Sequence, residues 1–155
     1  MRKLATTAMA IVMIIATYAT AIDIPVSCYL GHQKINLRAG AEITDGLDVG
    51  MQVEGITENN FWEQDCTWED TYIGAYGDVV LDLGDRWHVD PVGGLQVAMD
   101  TEGQGFQGGP EAGLRFNLHD NVGVGILAQY RWYSGDSRSI YTDGVVWLAG
   151  ARVRF

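Results

Sequence analysis

Two cysteines, three histidines and one dense run of acids are the residues of this 155-residue chain best suited to chemistry. Cys28 and Cys66 are the whole cysteine complement, so one disulfide is the single internal pairing open to them. Two free thiols, or a lipid on Cys28, are the alternatives. An acylated cysteine normally follows an apolar leader directly, and here Asp23 and Pro25 intervene. A Cys28–Cys66 bond would tether the loop over 58–70 and add about 2–4 kcal/mol of stability. That loop carries Glu58, Glu63, Asp65, Glu69 and Asp70 among Phe61, Trp62 and Trp68. Carboxylates so close together can collect a divalent cation, or bridge through one to lipid phosphate. Their spacing matches no defined calcium loop, and a solvated acidic loop is expected. His32, His88 and His119 with Ser134, Ser137 and Ser139 supply the parts of a serine nucleophile and its base. No flanking motif joins them. His119 falls on the opposite rim from the serines, and His88 belongs to a polar strand face. No catalytic residue, metal site or cofactor is assigned.

The elements that must position these residues begin after a leader. Arg2 and Lys3 precede an apolar run over 4–16, and Ala19-Thr20-Ala21 offers small residues for cleavage. This is the layout of a secretory signal peptide over 1–21, leaving 22–155 as one domain. The whole chain has 20 acidic and 10 basic residues. Losing Arg2 and Lys3 leaves eight bases, so the net charge falls from −10 to −12. That sign excludes a nucleic-acid binder working by phosphate neutralisation. The apolar and aromatic content excludes an acidic disordered tail. Twenty glycines and a single lysine after the leader, Lys34, are unusual for a water-facing domain.

Period-2 alternation runs through 22–155. It predicts strands over 22–30, 33–43, 47–57, 71–83, 87–99, 110–118, 121–133 and 143–155. In the last, Val145, Trp147, Ala149, Ala151, Val153 and Phe155 share one face, and Gly150, Arg152 and Arg154 the other. Short turns at 44–46, 84–86 and 119–121 alternate with longer polar loops near 58–70, 100–109 and 134–143. No segment keeps a helical period. The expected fold is all-β, an eight-stranded antiparallel up-and-down transmembrane β-barrel.

The polar face decides which solvent the apolar face meets. It mixes glycine with Arg38, Glu42, Glu54, Asp78, Asp82, Glu111, Arg115, Arg131, Arg152 and Arg154. Opposite charges interleaved with glycine suit a crowded lumen, where buried charge is tolerated in pairs and networks. Eight strands enclose a space that side chains just fill, so no open pore is expected. On the apolar face, Trp87, Phe116 and Phe155 fall near the short-turn rim. Tyr130, Trp132 and Trp147 fall near the long-loop rim. Two aromatic girdles around an aliphatic band fit the two membrane interfaces.

The ending Gly150-Ala151-Arg152-Val153-Arg154-Phe155 resembles the C-terminal assembly signal of bacterial outer-membrane barrels at Gly150, Val153 and Phe155. Leu148 stands where that signal usually has a polar residue. The run from Gly113 to Leu118, a short turn, then Val122 to Trp132 resembles the late hairpins of the opacity-protein and OmpA-like small barrels. The resemblance implies a monomer, delivered through the periplasm and inserted by the barrel assembly machinery among outer-membrane lipid and lipopolysaccharide. A structural, surface-protective or adhesion role is expected, and no enzymatic activity. Two other readings stay open: a barrel enzyme modifying outer-membrane lipid, and a soluble periplasmic lipocalin-like binding barrel.

Overall fold

A computed structural model describes residues 24–57, 67–83, 88–103, 105–135 and 141–155. Its strands are β1 (Pro25–Leu30), β2 (Lys34–Thr44), β3 (Leu47–Thr57), β4 (Trp68–Val80), β5 (Val89–Asp100), β6 (Gly105–His119), β7 (Val122–Gly135) and β8 (Gly144–Arg154). Each pairs antiparallel with the next, and β8 returns to β1 with Tyr29 opposite Gly150, closing an eight-stranded barrel. The leader over 1–21 lies outside the described residues.

The alternation becomes geometry because successive strand side chains point to opposite faces. On β3, Asp48, Gln52 and Glu54 are buried while Met51 is 59% exposed. On β8, Leu148 and Arg152 are buried while Val145 and Trp147 are exposed. The barrel therefore holds its charge inside and turns its aliphatic side chains outward.

Large inward side chains fit because glycine stands opposite them. Gly40 and Gly50 are paired across β2 and β3, and Tyr76 of β4 lies beside Gly50. A Cβ on Gly40 would come within 2.5 Å of the Tyr76 hydroxyl. On the other side, Gly150 makes room for Tyr29, where a Cβ would stand 2.7 Å from the ring. Outside, Trp68 lies over Gly55 and Trp132 over Gly108, each ring occupying the space a Cβ would need.

Several boundaries differ from the expectation, among them the start of β4 at Trp68 rather than 71. β6 begins at Gly105, because Gly105–Pro110 continues the wall: Leu95 pairs with Pro110 and Met99 with Phe106. Gly108-Gly109-Pro110 imitates a turn in sequence, but Pro110 keeps its place in the β5 register. The loop expected near 100–109 is thus shortened, with β5 running to Asp100 and β6 starting at Gly105. β4 ends at Val80, and the expected turn over 84–86 lies outside the described residues. The β2–β3 turn is tight, with Gly46 at φ +84°, a left-handed conformation that glycine adopts without strain.

Candidate functional site: the ion-paired lumen

The barrel topology places β3 opposite β7 and β2 opposite β6. Two arginine–glutamate pairs cross the lumen along these diameters. Glu54 of β3 receives both terminal nitrogens of Arg131 from β7. Arg38 of β2 makes a bidentate pair with Glu111 of β6, at 2.6 and 2.7 Å. Planar fork-to-fork pairing of this kind is the strong form of the charged hydrogen bond. Arg131 and Glu54 are each 0% exposed.

Buried ions need every remaining donor and acceptor satisfied. Amides supply this. Asn36 Nδ2 donates to Glu54 at 3.1 Å, and Gln107 Nε2 donates to Glu54 at 3.2 Å. Arg131 Nε donates to Gln129, whose own Nε2 donates to Glu111. Arg38 Nε donates to Asn36 at 3.1 Å. Gln52 donates to Gln96 at 2.8 Å. The two diametral pairs are joined through Gln129 and Asn36 into one network. Asp78 Oδ2 accepts from Arg38 at 3.2 Å, and the Tyr76 ring lies 4.6 Å from that guanidinium.

Of the expected lumen residues, the structure brings Arg38, Glu54, Asp78, Glu111, Arg115, Arg131 and Arg152 inside. Arg115 donates to Asp48 at 3.0 Å, and Arg152 lies 2.9 Å from the same carboxylate oxygen. Glu42 and Arg154 pair at the short-turn mouth and keep part of their surface in solvent. Asp82 is a correction. β4 ends at Val80, so Asp82 leaves the wall and is exposed at the same mouth. His88 also departs from expectation, as an exposed residue before β5 rather than a member of a polar strand face. Asp48 gathers Arg115 and Arg152 in a cluster of its own, and the amides Asn36, Gln52, Gln96, Gln107 and Gln129 of the network carry no charge that singles them out. Their inward parity was the available signal.

At the long-loop mouth the plug is completed from the β7–β8 connection. Tyr141 donates to Asp70 at 2.7 Å and tilts against Tyr133, ring centres 5.2 Å apart. It packs on buried Ile56, Tyr72 and Ala98. Asp143 accepts the Tyr133 N–H, and Lys34 donates to the Tyr133 hydroxyl. Burial and the Asp70 carboxylate push the Tyr141 hydroxyl above its ordinary pKa, so it stays a donor.

The outward aromatics also fall into place. Tyr130, Trp132 and Trp147 are exposed towards the long-loop rim, joined by Phe106 and Trp68. The register shift beside Thr57 turns Trp68 outward. Phe116 and Phe155 lie at the short-turn rim. Trp87 lies outside the described residues. So does Cys66, along with the expected acidic loop from Glu58 to Asp65. Cys28 is exposed on the outer face, paired with Leu37 and Ala151. Gly150 packs against Tyr29 inside, while Val153 and Phe155 face outward. His32 stands exposed at the long-loop rim, and Ser134 lies near the end of β7. Ser137 and Ser139 lie outside the described residues.

No protein-family profile matches the chain, and no curated protein matches it. Solved structures do. One is a de novo designed transmembrane β-barrel, with a TM-score of 0.56 at 11% identity. The match covers 86% of this chain and 95% of that one. Another is the Yersinia pestis outer membrane protein Ail in a phospholipid bilayer nanodisc, with a TM-score of 0.53 at 15% identity. That match covers 86% of this chain and 99% of Ail. At these identities the likeness is one of fold, and the fold is that of eight-stranded transmembrane barrels.

Proposed function

We propose that residues 22–155 form a small outer-membrane barrel with a structural, surface-protective or adhesion role and no open pore. The observation that carries this reading is the inverted distribution of polarity. Arg131 and Glu54 are wholly buried within the lumen, while Leu95, Ile126, Val145 and Trp147 are exposed outside. A lipocalin-like binding barrel needs an apolar lumen and a polar exterior, and this chain has the reverse. A crossed pair of salt bridges leaves the lumen filled, which suits anchoring and surface roles better than conduction.

In this reading 1–21 is the export signal. Gly150, Val153 and Phe155 serve the barrel assembly machinery, and the outward belt meets outer-membrane lipid and lipopolysaccharide as a monomer. A disulfide between Cys28 and Cys66 would brace the largest loop from the outer face. The likeness to Ail, solved in a lipid bilayer, supports the membrane setting. Expression in a Gram-negative host tests it. The protein should fractionate with the outer membrane and migrate faster on SDS gels when unheated. Recovery in the soluble periplasm without detergent would overturn the membrane reading. Release of acyl chains from purified outer-membrane lipid would replace the structural role with an enzymatic one.

A further inference from the structure

One register line on the lumen face joins two carboxyl groups across three strands. Asp78 on β4 pairs with Gly94 on β5, and Gly94 pairs with Glu111 on β6. Gly94 brings no side chain between them, and a Cβ there would strike Asp78 Oδ1. The Asp78 and Glu111 side chains meet over it in hydrogen-bond contact. Both are buried.

One guanidinium serves the pair, and it serves them unequally. Arg38 Nη1 lies 2.6 Å from Glu111 Oε1 and 3.2 Å from Asp78 Oδ2. Glu111 also accepts from Arg38 Nη2 at 2.7 Å and from Gln129, so both its oxygens are filled. Asp78 Oδ1 receives no hydrogen bond. A buried carboxylate oxygen without a donor is costly, and two carboxylates in contact repel. A proton on Asp78 Oδ1 removes both costs. It turns the orphan acceptor into a donor for Glu111.

The surrounding strands bring no second cation to the pair. Asp48 of β3 stands opposite Asp78 and adds negative charge. Arg115 of β6 and Arg152 of β8 are turned to Asp48, at 3.0 and 2.9 Å. On β7, Arg131 is held by Glu54, and Gln129 is neutral. β1 and β4 offer the Tyr29 and Tyr76 rings, which lie 5.6 and 4.6 Å from the Arg38 guanidinium. Beyond Gly94, β5 contributes the buried, neutral Gln96. Among the described residues, Arg38 is the one cation paired with either carboxyl.

We propose that the plug holds one proton at neutral pH, carried on Asp78 Oδ1 and donated to Glu111, as a pH-sensitive lock between β4 and β6. The unfolded chain releases that proton above the ordinary aspartate range, about pH 4. Folding therefore takes up one proton between about pH 5 and 7, and stability falls as pH rises through that window. The two groups lie inside the barrel, so the proposal rests on the fold and not on the bilayer reading.

Infrared spectroscopy of the full chain refolded in detergent micelles tests it. At pH 7 the protein should show the carbonyl band of a protonated carboxyl. Labelling the aspartate side chains with ¹³C should shift that band, and Asp78→Asn should remove it. The labelled wild type keeps the test alive if the variant fails to fold. Urea unfolding gives a second readout, because asparagine offers Glu111 an N–H at every pH. The ratio of the wild-type unfolding constant to that of Asp78→Asn should rise about tenfold per pH unit between about pH 5 and 7. Absence of the band at pH 7, a band unmoved by the aspartate label or retained in Asp78→Asn, or a ratio independent of pH would each overturn the proposal.

Discussion

At the residue scale, Glu54 holds the greatest leverage. It accepts from Arg131, Asn36 and Gln107, and lies 3.8 Å from Lys34. Glu54→Ala would strand the Arg131 guanidinium in a sealed lumen. Breaking one side of a buried pair costs about 3–5 kcal/mol, whereas replacing both partners by apolar residues can be close to neutral. Urea unfolding in micelles should therefore show a large loss for Glu54→Ala. Glu54→Leu combined with Arg131→Leu should restore much of it. Equal losses in both would mean that the pair contributes net stability of its own. That these residues face inward was legible from their parity along β3 and β7. Their partnership was not. They are 77 positions apart, and the pairing is set by the closure of the barrel, which no local pattern encodes. The neutral amides were harder still, because a glutamine on a strand face reads equally well as a solvent contact.

At the scale of the strand, the glycines divide into those that make room and those that do not. Gly40 stands beside Tyr76, and a Cβ there would also come 2.4 Å from the Val49 carbonyl. Gly144 has nothing within 4 Å of where its Cβ would lie. Gly40→Ala should thus lower stability by about 1–3 kcal/mol, the usual cost of overpacking. Gly144→Ala should be nearly silent, and the difference in urea midpoints measures the contrast. The sequence announced glycine at unusual frequency on the polar faces, and the crowded lumen accounts for it. It did not announce which glycines end a strand. Gly108 and Gly109 were expected in the loop near 100–109, yet they lie within the β6 wall, where Trp132 is seated over Gly108. Trp68 was placed in a loop because the register shift that turns it outward falls at the end of β3. A bulge of this kind leaves no period for a sequence to display.

At the scale of the whole molecule, the acidic, glycine-rich and aromatic-rich composition belongs to a barrel whose polar side is its interior. The exterior is an aliphatic band with aromatic side chains towards both rims, as two membrane interfaces require. Strand number and face assignment followed from alternation alone, because a period of two fixes every side chain once one face is known. An outer face of this kind meets lipid. Trp147 tests it most directly, since it projects outward from β8 and is 67% exposed. The measurement is fluorescence quenching of a variant in which Trp147 is the sole tryptophan, reconstituted in lipid vesicles. Bromines placed high on the acyl chains should quench it strongly, while aqueous iodide should leave it nearly unchanged. Quenching by iodide without quenching by the brominated lipid would mean that this face meets water and not lipid.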